Sequence, residues 1–340
     1  MNGKQPQTQL ANEMFSAIEN DLRAALGVIG DKNYFAFQEM IEYHLGWHSE
    51  TTKVKGKRIR PLLTLLICGA LGGKWQNALP AATAIELIHN FSLIHDDIED
   101  HSELRRGQQT VWKKWGTPRA INLGDALFVI GRLSSHRLAD QGIDLGTTLS
   151  VVKVLDQACL QLTIGQDLDL LFEKRDHVSE EEYLDMIYGK TAALIAAATG
   201  VGAIVAGADA VKIRAVENIG KSLGLAFQIQ DDILGIWGVP NKTGKSAADD
   251  LQTRKKTLPI IYGLARSQEF VDLWKMPSSD KATLEAMRNA LHRAQALEDA
   301  RALAEKYTDM AEESLQALEP EGTYASELLS LSRKLLSRQN

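Results

Sequence analysis

Two five-residue frames constrain this chain more than anything else in it: Ile94-His-Asp-Asp-Ile98 and Ile229-Gln-Asp-Asp-Ile233, about 135 residues apart. Each lies in an apolar run of helical period, where aspartate is rare unless paired or coordinated. Around the first frame the acid is denser still, with Asp96, Asp97, Glu99 and Asp100 in one short stretch. On a helix Asp96 and Asp100 share a face about 6 Å apart along the axis, and like charges at that spacing repel. A divalent cation between them removes the cost. Hard ions take oxygen ligands, and magnesium shares one or two carboxylates with substrate phosphates. One such run alone is equally well read as a solvated acidic helix end. Two in matching frames argue for a common task. Facing helices of a bundle, each bearing an Asp-Asp pair, are a familiar way to hold metals in a core, and oxygen donors favour magnesium over zinc or copper.

The rest of the chain reads as all-α. Leu, Ala and Ile dominate, aromatics are 6% of residues, and Gly and Pro do not recur at strand-and-turn spacing. The periodicity predicts helices over Leu10–Leu26, Tyr34–Leu45, Leu62–Leu71, Asn77–Asp100, Pro118–Leu138, Leu145–Phe172, Glu180–Ala208 and Ala210–Trp237, with more after Thr257. No linker divides the sequence, which predicts a flexible N-terminus over 1–9 and one domain over 10–340. The polar stretch 238–256 is long for a connection between helices and is a candidate active-site lid. Net charge of −6 argues against a nucleic-acid partner, whose backbone needs a basic surface. Cys68 and Cys159 lie in apolar surroundings without metal-like spacing and read as buried free thiols in a reducing, cytoplasmic compartment. The uncharged run Ala192–Ala208 is at the lower length limit for a membrane span; its small residues fit a buried helix, so no span is expected.

Positive charge is placed locally. Lys53-Val-Lys-Gly-Lys-Arg-Ile-Arg60 abuts the start of an apolar helix, where free amides and the dipole favour anions. His89, Leu93, Asp96 and Asp100 form one helical stripe, and Gly224, Gln228, Asp231 and Gly235 another. Lys57, Arg60, Arg105, Arg106, Lys190, Lys245 and Lys255 are more cations than one phosphate group requires. Glu86-Leu-Ile-His89 also matches half of a di-iron carboxylate site, but such sites need two halves.

Taken together, these stretches resemble the polyprenyl synthetase family of head-to-tail isoprenyl diphosphate synthases. The matching motifs are Gly56-Lys-Arg-Ile-Arg-Pro61, His95-Asp-Asp-Ile-Glu-Asp100, Leu104-Arg-Arg-Gly107, Gly165-Gln-Asp-Leu-Asp169, Lys190-Thr191, Phe227-Gln-Ile-Gln-Asp-Asp232, and Gly244-Lys245 through Lys255-Lys-Thr-Leu-Pro259. They occur in the family's order and spacing.

The resemblance implies an all-helical, single-domain bundle of the isoprenoid synthase type around a deep central cavity, usually a homodimer. It implies condensation of isopentenyl diphosphate with allylic diphosphates. Asp96, Asp100 and Asp231 would bind magnesium, three ions per site, with Asp97 and Asp232 in support. Arg105, Lys190, Lys245 and Lys255 would neutralise the allylic diphosphate, with Asp169, Thr191 and Gln228 beside it. Gly56, Lys57, Arg60, His89 and Arg106 match positions that hold isopentenyl diphosphate. Phe91, with small Ser92 beside it, matches a floor that limits product length and points to geranylgeranyl diphosphate, with farnesyl diphosphate second. A class I terpene cyclase or a non-catalytic partner subunit are the rivals; the first would not need the isopentenyl set, and the second commonly loses one acidic motif. One departure stands out. The second motif usually ends in a third aspartate, but Gly235 occupies that position, leaving Asp249, Asp250 or water to compensate. Ala248 likewise stands where a Gly is usual.

Overall fold

A computed structural model describes residues 9–30, 34–48, 56–238, 249–277, 280–318 and 322–336. Among them the chain is helical almost throughout, as the apolar periodicity requires; the strands are the two-residue pair Leu104–Arg105 and Gln108–Gln109. Contacts group the chain into two compact units. One comprises 1–159, 197–217 and 318–331; the other comprises 160–196, 218–317 and 332–340.

In the first unit the helix Leu79–Glu99 is the centre. Every residue from Pro80 to Ile88 is buried, the mark of a helix packed on all sides. It lies against the helices Gln9–Leu26, Ile59–Ala70 and Thr117–Asp140. Proline in the first turn starts both Leu79–Glu99 and Thr117–Asp140, where its missing N–H costs nothing. Gly46 closes Phe35–Leu45 in the left-handed conformation at φ 75°, as its place after the apolar run predicts. Thr64 donates to the buried carbonyl of Ala198 at 2.9 Å.

In the second unit Phe172, Tyr183, Ile229, Ile233, Leu258, Phe270 and Leu291 build a core with Leu251 and Ile236. Ser179 starts its helix Glu180–Ile187 with a reciprocal cap, its hydroxyl accepting from Glu182 N–H while the Glu182 carboxylate accepts from Ser179 N–H. Tyr188–Ala192 then forms a π-turn before Ala193–Val205. The segment Glu180–Val205 is long and apolar enough to cross a membrane by composition, and most of that stretch is buried inside the protein. Burial accounts for its apolarity. Cys68 and Cys159 are both free and buried.

Candidate active site

The first acidic pair sits at the C-terminal end of Leu79–Glu99, and its two members differ. Asp97 keeps 3% of its side chain exposed, whereas Asp96 keeps 23%. Arg105 clamps both, its Nε donating to Asp97 Oδ1 and Oδ2 at 2.8 and 2.9 Å and its Nη2 to Asp96 Oδ2 at 3.0 Å. Burial pushes the Asp97 carboxyl up to about 6; Arg105 opposes that shift, and Asp96 and Asp100 add to it. Asp100 caps the helix and is exposed.

Arg105 is aimed by a β-hairpin that a reading of the sequence takes for a loop. Leu104 pairs with Gln109 and Arg105 with Gln108, around Arg106 and Gly107 at φ 53° and 81°. Two positive φ values at the central residues are what a tight hairpin turn needs. Tyr43 donates to Gln109 O, and Thr110 and Trp112 both donate to Ser102 O.

Two turns back along the same helix, basic side chains gather around His89. Arg60 Nη1 lies 3.1 Å from His89 Nε2. Burial, with the charges of Arg60, Arg106 and Arg105, drives the His89 pKa far down, so the ring is neutral. Gly56 has φ 74°, a left-handed conformation that favours glycine, and a Cβ there would stand 2.8 Å from Arg106 Nη1. Lys57 is exposed beside it. The structure therefore brings Gly56, Arg60, His89 and Arg106 together. Arg58, from the same basic segment, serves differently. It is fully buried, ion-paired to Glu19 at 2.6 Å and Glu86 at 2.9 Å, and also donates to Leu45 O. Glu86 is thereby committed to Arg58 and His89 to Arg60, which removes the di-iron half-site.

Between the two sites on that helix, Phe91 packs against Phe128 with ring centroids 5.3 Å apart and edge-on to His95 at 5.7 Å. Ser92 donates to His89 O. Phe128 has no signature in the sequence; only the crossing of the two helices brings it to Phe91.

The second unit carries the other motif on the helix Ala210–Trp237. Asp232 is buried and saturated with donors: Tyr183 Oη at 2.5 Å, Gln228 Nε2 at 2.9 Å and Leu258 N–H at 3.3 Å. Burial raises its carboxyl to about 6 against the hydrogen bonds from Tyr183 and Gln228. Asp231 is more exposed. Thr191 donates to Gln228 Oε1 at 2.7 Å, completing a chain from Thr191 through Gln228 to Asp232. Asp169 accepts from Lys190 at 2.5 Å and pairs with Lys255 at 3.0 Å. Burial alone would raise its carboxyl, but the two lysines hold it below the ordinary value.

Lys190 and Thr191 owe their placement to the π-turn. A Cβ at Gly165 would stand 2.6 Å from the carbonyl carbon of Gly189, and one at Gly224 would stand 2.5 Å from Ala192 Cα. Two glycine contacts thus clamp the turn from opposite neighbours, and π-turns are frequent at functional sites. Tyr183, like Arg58 and Phe128, was missed by sequence reasoning, because nothing local marks a tyrosine that meets an aspartate 49 positions away. Lys245 and residues 239–248 of the candidate lid lie outside the described residues.

The donor set suits magnesium. It is all oxygen, and Asp96, Asp100 and Asp231 are more exposed than the buried Asp97 and Asp232. Among the described residues no three acidic, His or Cys side chains converge to enclose an ion by themselves.

An almost wholly helical fold carries two carboxylate pairs, one of them on the helix that also bears His89 and its basic neighbours, and comparison with known proteins gives its class. Residues 44–293 match the family model described as Polyprenyl synthetase. The geranylgeranyl diphosphate synthase of Mycobacterium tuberculosis is 37% identical over 308 residues, covering 88% of this chain and 86% of that protein. The (2E,6E)-farnesyl diphosphate synthase of Mycobacterium bovis is 42% identical over 230 residues, 66% of this chain and 63% of that protein. The crystal structure of a polyprenyl synthetase from Streptomyces coelicolor superimposes with a TM-score of 0.86 at 32% identity, covering 96% of this chain and 98% of that one. The chain belongs to the polyprenyl synthetase family and is a prenyltransferase.

Proposed function

We propose that this chain is a short-chain isoprenyl diphosphate synthase that adds isopentenyl diphosphate to allylic diphosphates and makes geranylgeranyl diphosphate. One observation carries the reading: the single helix Leu79–Glu99 bears a carboxylate pair and, two turns earlier, neutral His89, around which Arg60 and Arg106 gather from other elements. Carboxylates suit a diphosphate that arrives with metal, and arginines suit one that arrives without. Two diphosphates of different metal demand are what this condensation needs. A cyclase acting on one diphosphate has no use for the second site.

Asp96, Asp100 and Asp231 are assigned to three magnesium ions and Asp97 and Asp232 to their support. Bound magnesium supplies charge neutralisation where the allylic C–O bond breaks. Arg105, Lys190 and Lys255, with Lys245, supply fixed positive charge to the same leaving group. Asp169 holds two of those lysines in place. Gly56, Lys57, Arg60, His89 and Arg106 hold isopentenyl diphosphate with its double bond near the cation. Thr191 fixes the Gln228 amide beside that cation. The proton released leaves with the diphosphate, so no side chain is assigned as base. Segment 238–256 is assigned to excluding water, and residues 10–340 to one catalytic domain in the cytoplasm, in keeping with the two free thiols.

Incubation with magnesium, isopentenyl diphosphate and each allylic primer, followed by sizing of the products, tests the reading. A twenty-carbon diphosphate is expected; a fifteen-carbon end product would favour farnesyl diphosphate synthesis, and cyclised hydrocarbon from primer alone would overturn the proposal. The product assignment rests on Phe91 backed by Phe128. Phe91→Ala is expected to lengthen the product by at least one isoprene unit, and an unchanged profile rejects Phe91 as the floor.

A second copy of the chain is the proposed partner. Ile121, Val129 and Leu133 are 42–51% exposed on Thr117–Asp140, and Leu145 and Leu149 are more so on the next helix. Large apolar side chains left exposed along two successive helices suit an association surface. Light scattering of Val129→Asp/Leu133→Asp should give half the wild-type mass; an unchanged mass would exclude this face.

A further inference from the structure

The second motif lacks a carboxylate at its end, and the structure shows what stands there instead. Position 235 follows Asp231 by one helical turn, as Asp100 follows Asp96. Gly235 is buried in regular helix, so backbone conformation does not call for glycine. The Asp250 carboxylate does. A Cβ added at Gly235 would overlap Asp250 Oδ2, with Asp250 Cγ only 2.5 Å away. The acid group from another element thus fills the space into which a side chain at 235 would project.

Asp250 is not there by accident of a loose loop. It is 8% exposed, and the adjacent Leu251 is fully buried in the core. Its carbonyl accepts from Lys255 N–H at 3.1 Å. The same short segment is tied on every side: Lys255 to Asp169, Lys256 Nζ to the carbonyls of Phe172 and Glu173 at 2.8 and 3.1 Å, and Leu258 N–H to Asp232.

We propose that Asp250 supplies, from outside the helix, the third carboxylate of the second metal-binding motif, and that Gly235 is glycine in order to admit it. This rests on the reading of Asp231 as a magnesium ligand. Its role is to position the metal's water shell or to join it.

The test exchanges the two positions. Mn²⁺ binding in the presence of inorganic pyrophosphate, followed by electron paramagnetic resonance, reads metal affinity without turnover. Asp250→Asn is expected to weaken Mn²⁺ binding about 10- to 100-fold, the usual cost of losing a supporting carboxylate. Gly235→Ala should weaken it too, by evicting Asp250 while leaving every carboxylate in the chain. Gly235→Asp/Asp250→Gly should recover most of the loss. Wild-type Mn²⁺ affinity in Asp250→Asn overturns the proposal, as does a folded double variant that binds no better than Asp250→Asn. If the double variant does not fold by circular dichroism, the Asp250→Asn result decides alone. Asp231→Asn separates the two levels: if it loses Mn²⁺ while Asp250→Asn does not, only this inference fails, and if neither loses it, the metal assignment itself fails.

Discussion

Asp96→Ala and Asp231→Ala are each expected to lower turnover by at least about 10²- to 10³-fold, the scale of removing one electrostatic stabiliser from a transition state, with little loss of stability. Both residues keep part of their side chains in solvent. Asp97 still engages Arg105 through two hydrogen bonds when Asp96 is gone. The neighbouring aspartates should behave oppositely in stability. Asp232→Ala leaves the buried Tyr183 hydroxyl without its acceptor, which costs about 1–3 kcal/mol, whatever it does to the rate. Product formation at saturating substrate, paired with urea unfolding of each variant, makes the distinction. Wild-type turnover in either Asp96→Ala or Asp231→Ala would discredit the site.

Arg58→Ala should be the most damaging single change to the fold of the first unit. It strips the cation from two glutamates, one of them Glu86, which is 4% exposed. Breaking a buried pair from one side costs about 3–5 kcal/mol, because the remaining charge has no compensation. Arg58 also carries the backbone between Gly56 and Arg60 at φ 47°, so the surviving protein should show a larger rise in KM for isopentenyl diphosphate than for the allylic substrate. A shift below about 1 kcal/mol, within the range of exposed pairs, would mean the ion pairs are not what hold this segment. Equal changes in both KM values would separate Arg58 from the proposed isopentenyl diphosphate site.

Much of the site was legible before any coordinates. The helix Ala210–Trp237 has the bounds its periodicity predicts, and the all-α class follows from the absence of any sustained alternation. Gly56, Arg60, His89 and Arg106, widely separated in the chain, do gather in one place. Other features had no local signal. The Leu104–Gln109 hairpin is too short for an alternating pattern, and its turn depends on Arg106 accepting a left-handed conformation. Nothing local in the basic segment sets Arg58 apart, yet it turns inward to Glu19 and Glu86.

By itself the sequence determined which segments are helices, which faces they bury and which residue types the chemistry uses, because period and polarity are properties of neighbours in the chain. Only the tertiary structure decided which carboxylates are spent on protein donors, that a π-turn between Gly165 and Gly224 presents Lys190 and Thr191, that Phe128 backs Phe91, and that Asp250 lies over Gly235. Those outcomes depend on backbones approaching closely across tens of residues, and close packing is a property of the folded chain that no local pattern encodes.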